Sequence, residues 1–233
     1  MAAKNSVKQF VENGYYHIYN RGVEKRTIFL EPQDYSVFLS YLKTYLLPKD
    51  TNKLWLSLAE ANLPWAEKAK ILKLIRLNNF SSSLNLLSFC LRPNHFHLLV
   101  RQTDANTIDK FMNSLGTRYG GYFNRKYKRV GPLFQGLYKA VLVNTDEQLL
   151  HLTRYIHRNP IPLIPQDTLL QNYEYSSYPY FLGTAHSDWV KPDTTLSHFA
   201  RSGPNSYQSF VEDRALEADS ITRIASLTLD FED

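Results

Sequence analysis

An α+β fold is predicted for this 233-residue chain by three observations. Short β-prone runs bounded by turn residues recur along it, and segments with apolar residues at helical spacing lie between them. A composition that is 43% hydrophobic and 14% aromatic supplies a core. Residues 15–19 (YYHIY) read as a strand, and Asn20, Arg21 and Gly22 turn the chain. Tyr35, Phe38, Leu39, Leu42 and Leu46 then make one helical face over 34–47, with Pro32 before it and Pro48 after. Residues 53–78, rich in Ala, Leu and Lys, are helical too, with Pro64 marking a break or a start. A strand over 84–91, a turn at Arg92, Pro93 and Asn94, and a strand over 95–100 form a hairpin.

The next helix runs from Asn106 to Lys126 on Ile108, Phe111, Met112, Leu115, Tyr119, Tyr122 and Phe123, although Gly116, Gly120 and Gly121 weaken it. A strand follows over 137–143. Thr145 and Gln148 open a capping-box helix that must stop near Asn159, because Pro160 disfavours helical geometry in the residue before it. Beyond Pro165 the chain is loop-rich. The order β–α–β–β–α–β–α suits a ferredoxin-like antiparallel sheet with helices packed on one face, plus a helical insert over 48–82 and a C-terminal extension.

One cysteine, Cys90, excludes an internal disulfide and any cysteine-based zinc site. The N-terminal residues lack the apolar run of a signal peptide, and no stretch approaches the ~20 apolar residues of a membrane span. A cytoplasmic protein without membrane contact is expected. The net charge of +5 is uneven: residues 203–233 hold seven acids and two bases, whereas residues 116–159 hold eight bases and two acids. A basic body points to a polyanionic partner, with the acidic end placed to cover that surface when the partner is absent. The 16 tyrosines suit base stacking.

His95 and His97, two apart on a strand, share a face with Leu99, while Phe96, Leu98 and Val100 face the core. Two imidazoles on one strand make half of a divalent-ion site. By itself the pair is more often a chance occurrence than a ligand set. On the helix over 146–158, Leu149, Leu152 and Ile156 pack inward, and His151, Tyr155 and Asn159 form a polar stripe at intervals of four. Arg154 and Arg158 lie beside it. Taken alone, that stripe reads as an exposed polar face; beside the histidine pair it reads as a tyrosine nucleophile with an amide ligand and phosphate-binding arginines.

Six segments in fixed order carry a family resemblance: residues 16–22 (YHIYNRG), 93–100 (PNHFHLLV), 114–119 (SLGTRY), 122–125 (YFNR), 131–136 (GPLFQG) and 155–160 (YIHRNP). Over residues 13–182 the chain resembles single-tyrosine HUH transposases of the insertion-sequence 200-like superfamily, most closely the REP-associated branch. The resemblance implies a transposase domain over 1–182, with 183–233 as an extension ending in the acidic tail. It implies a partner that is single-stranded DNA, with a hairpin, and action as a monomer or a homodimer. His95, His97 and Asn159 match the ligands of Mg²⁺ or Mn²⁺, and Tyr155 matches the nucleophile. The implied activity is a DNA strand transferase that nicks and rejoins DNA through a 5′-phosphotyrosine. His151, one turn before Tyr155, or a metal-bound water is the candidate proton acceptor. Arg21, Asn94, Arg118, Arg125, Lys126, Lys128, Arg129 and Arg158 are the expected DNA contacts. The long insert and Leu137, where many members have Arg, depart from the family pattern. A non-catalytic nucleic-acid-binding regulator on the same fold is the alternative, and a metal-dependent nuclease with water as attacker is a second.

Overall fold

The structure is a computed structural model, and it describes residues 10–228. The N-terminal residues 1–9 and the tail acids Asp230, Glu232 and Asp233 lie outside the described residues. Four strands, β1 (Tyr15–Arg21), β2 (Leu84–Arg92), β3 (His95–Gln102) and β4 (Lys139–Val143), form an antiparallel sheet in the order β2-β3-β1-β4. Helix α1 (Pro32–Leu46) lies between β1 and β2, and α4 (Thr107–Lys126) between β3 and β4. This is the expected ferredoxin-like fold. The insert contributes α2 (Thr51–Leu58) and α3 (Trp65–Arg76), which bury no residue fully. Lys49 fastens the insert at its base, its Nζ donating to the carbonyls of Ile75 (3.0 Å) and Leu77 (2.6 Å), where a helix end favours a cation.

Strand alternation divides the sheet into two faces. Tyr16, Ile18, Phe96, Leu98 and Val100 join Phe38 and Leu42 of α1 and Phe111, Leu115 and Tyr119 of α4 in the larger core. Helices were expected on that face alone. The opposite face is covered as well, by α5 (Asp146–Arg158), whose Leu149, Leu152 and Ile156 pack on Leu87, Cys90, Leu99 and Val143. Each such side chain contributes about 1.5–3 kcal/mol when fully buried. Thr145 caps α5 by accepting from the Gln148 amide at 3.1 Å, as the sequence predicts.

Short helices follow: α6 (Tyr178–Phe181), α7 (Asp193–Leu196), α8 (Tyr207–Glu212) and α9 (Glu217–Ile224), then a 3₁₀ turn (Ala225–Leu227). The segment expected to be loop-rich therefore packs as an ordered layer, with Tyr207 and Val211 clustering on Tyr178 and Phe181. Arg154 holds it to α5. This guanidinium is 1% exposed and donates to the Phe210 carbonyl (2.9 Å), the Ser220 hydroxyl (3.1 Å) and the Asp213 carbonyl. Among the described residues no helix is long and apolar enough to cross a membrane.

Candidate active site

β3 and α5 bring the sequence-predicted residues together on the second sheet face. The rings of His95 and His97 stand nearly perpendicular with centroids 5.0 Å apart. The Tyr155 ring meets His97 edge-on at 5.5 Å, and its side chain is half-buried rather than lost in the interior. Asn159 caps α5, its backbone N–H donating to the Tyr155 carbonyl at 3.0 Å. Its Oδ1 accepts from Arg92 Nη1 at 3.4 Å. The capping position is what places an amide side chain one turn beyond the phenol.

Hydrogen bonds assign the imidazole tautomers. Asn94 Oδ1 lies 2.7 Å from His95 Nδ1, and Asn94 Nδ2 donates to the Lys25 carbonyl at 3.4 Å, which orients the amide. His95 therefore donates from Nδ1 and carries its lone pair on Nε2. His17 Nδ1 lies 2.7 Å from the Leu227 carbonyl, which only accepts, so a neutral His17 presents Nε2 as an acceptor. His97 Nδ1 lies 2.9 Å from it and donates, leaving the His97 lone pair on Nε2 as well. Both Nε2 atoms are shielded from solvent. By their chemistry, two imidazole lone pairs and the Asn159 amide oxygen would suit Mn²⁺ or Mg²⁺, the borderline imidazoles favouring Mn²⁺. Among the described residues no group of three or more His, Cys, Asp or Glu could hold a metal ion.

Sequence reasoning missed two residues here. His17 is fully buried behind His97, and Arg92 lies opposite His95 in the β2–β3 register. Arg92 Nε is buried and has no hydrogen-bond partner among the described residues. Strand alternation puts His17, Tyr19 and Arg21 on one face of β1, and the β1–β3 register, which local periodicity does not give, makes it the face of His97. Arg21 lies opposite His95 and donates from Nε to Gln135 Oε1 at 2.6 Å, so two guanidinium-bearing residues flank His95.

The other expected residues are dispersed. Asn94 serves His95. His151 is turned to the extension, with Nδ1 2.9 Å from the Ser220 hydroxyl and its ring against Phe210, and burial followed by the nearby Arg223 lowers its pKa. Arg158 is likewise held by the extension, donating to the Val211 carbonyl at 2.9 Å and pairing with Glu217, which leaves it unavailable to DNA in this arrangement. Lys126 pairs with Asp34 at 2.7 Å and with Glu31. Arg118 stacks on Tyr41 at 3.7 Å and, with Arg125, lines a groove of about 870 Å³ between α1, α3 and α4, on the sheet face away from Tyr155. Lys128 is exposed in a left-handed turn (φ 52°), and Arg129 donates to Asn124 Oδ1 at 2.8 Å. Leu137 is exposed.

Residues 65–159, which include the histidine pair, Tyr155 and Asn159, match the family described as "Transposase IS200 like". No curated protein matches the chain. Among solved structures, a REP-associated tyrosine transposase bound to a REP hairpin matches with a TM-score of 0.50 and 10% identity, covering 81% of this chain and 92% of that one. At that identity the likeness concerns the fold alone. Over residues 65–159, then, the chain is similar to the IS200-like transposase family.

Proposed function

We propose that the protein is a divalent-metal-dependent transferase of single-stranded DNA that cleaves and rejoins strands through Tyr155. The observation that carries this reading is the edge-on approach of the half-buried Tyr155 phenol to His97, with Asn159 one turn further along the same helix. His95, His97 and Asn159 would hold Mg²⁺ or Mn²⁺. The bound ion would supply charge neutralisation at the scissile phosphate and a template for its orientation. Arg21 and Arg92 add positive charge beside His95 for a phosphate oxygen. Tyr155 Oη attacks phosphorus as its proton leaves, the P–O3′ bond breaks, and the departing oxygen takes up a proton as a 3′-hydroxyl. The product is a 5′-phosphotyrosine, so phosphodiester bond energy is retained and a 3′-hydroxyl can reverse the step. The expected substrate is hairpin-bearing single-stranded DNA. The matching solved structure supports this, because that protein was captured on a REP hairpin.

Incubation with 5′- or 3′-labelled hairpin DNA and Mn²⁺, followed by a denaturing gel, tests the reading. A covalent protein–DNA band that requires Mn²⁺ and disappears in Tyr155→Phe is expected. Cleavage that survives Tyr155→Phe would assign the attack to water instead. Binding without cleavage would make the protein a regulator on the same fold.

A further inference from the structure

We propose that the C-terminal extension is a working part of the ion site, acting through His17 as a positioning residue for His97. The inference rests on the ion-site reading above and concerns a residue that the matched region 65–159 does not contain. Three groups from distant parts of the chain stand in line: the Leu227 carbonyl, His17 on β1 and His97 on β3, linked at 2.7 Å and 2.9 Å. His17 is 0% exposed, His97 1% and Leu227 2%, so water does not compete for these bonds.

Polarity runs in one direction along this line. A carbonyl oxygen has no proton to give, so it fixes the proton of His17 on Nδ1, which fixes the proton of His97 on its own Nδ1. The His97 lone pair is thereby set on Nε2, the nitrogen a divalent ion would take. The near-parallel His17 and His97 rings, 16° apart, set the tilt of His97 as well. Partners of this kind raise the basicity of a ligating imidazole and hold its ring in place.

His95 is treated differently, since its orienting group is its neighbour Asn94. His97 reaches the far end of the chain through His17 and the Leu227 carbonyl. The extension that presents Leu227 is fastened to α5 by Arg154, one residue before Tyr155. The same layer thus seats both the ligand strand and the nucleophile helix, so the ion site is complete only when the extension is docked.

The test uses the full chain, Mn²⁺ as probe, isothermal titration for affinity, and nitrogen NMR of the imidazoles in the metal-free protein. In the wild type, His97 is expected to be protonated at Nδ1. His17→Leu is expected to lower Mn²⁺ affinity roughly 10- to 100-fold. His17→Gln, whose Oε1 still accepts from His97, is expected to recover most of it. Arg154→Gln, which loosens the extension and touches no ion-site residue, is expected to weaken Mn²⁺ binding several-fold. A folded His17→Leu variant that binds Mn²⁺ within twofold of wild type overturns the proposal, as does a wild-type His97 protonated at Nε2. The NMR result decides the matter even if His17→Leu does not fold. Unchanged affinity in Arg154→Gln overturns the part assigned to the extension. A wild type that binds no Mn²⁺ overturns the ion site itself, an outcome distinct from the others.

Discussion

Asn94 and Gly22 show how single residues set the geometry around His95. Asn94 holds the His95 ring, while its own carbonyl accepts from the Gly22 amide at 2.8 Å, tying the end of β1 to the β2–β3 hairpin. A Cβ at position 22 would overlap the Arg26 carbonyl oxygen and crowd Ile28, so this turn requires glycine by close approach. Gly22→Ala is expected to destabilise the protein by about 1–3 kcal/mol, read as a lowered midpoint in urea. Asn94→Ala is expected to leave that midpoint almost unchanged and to reduce Mn²⁺ affinity roughly tenfold or more, measured by titration. The shared face of His95 and His97 and the stripe of Tyr155 and Asn159 were legible in the sequence because strand and helix periodicities are local, whereas the roles proposed for them came from the family resemblance. The pairing of His17 with His97 was not, because it depends on strand register between segments 80 residues apart.

At the scale of elements, α5 carries three jobs on three faces. Its apolar face seats it on the sheet, its Tyr155 and Asn159 enter the site, and Arg154 and Arg158 bind the extension. The sequence shows the basic stripe but not its partner, since a solvated arginine, a phosphate contact and a buried anchor share one pattern. Thr145→Ala removes the cap of this helix and is expected to cost about 1 kcal/mol in thermal or urea unfolding. On the other face, Asp34 at the start of α1 is bound by Lys126, Tyr122 and Tyr127, joining α1 to the end of α4. Burial pushes its pKa up, but the Lys126 ammonium, the two phenols and the Leu30 amide together hold it below the ordinary carboxylate value. That contribution to stability is present above about pH 4 and is lost as pH falls through the lowered value.

For the whole molecule, the sheet is a buried layer with α1 and α4 on one face and α5 on the other, and the extension closes part of that second face. His157 lies fully buried in this closure, hydrogen-bonded to the Tyr207 hydroxyl at 2.6 Å and the Ser177 hydroxyl at 2.8 Å, with Tyr178 and Phe181 around it. Burial lowers its pKa to about 3. Between that value and an unfolded pKa near 6.5, the unfolded chain binds the extra proton, so stability is full above about pH 6.5 and falls as pH drops. The slope reaches at most about 1.4 kcal/mol per pH unit from this group. Melting curves from pH 7.5 down to 5 are expected to show the decline, and His157→Gln to flatten it. The most direct measurement is tandem mass spectrometry of the protein after reaction with hairpin single-stranded DNA and Mn²⁺ and digestion to peptides. A nucleotide phosphate attached to Tyr155 is the predicted result; a phosphate on another tyrosine, or cleaved DNA with no modified peptide, would contradict it.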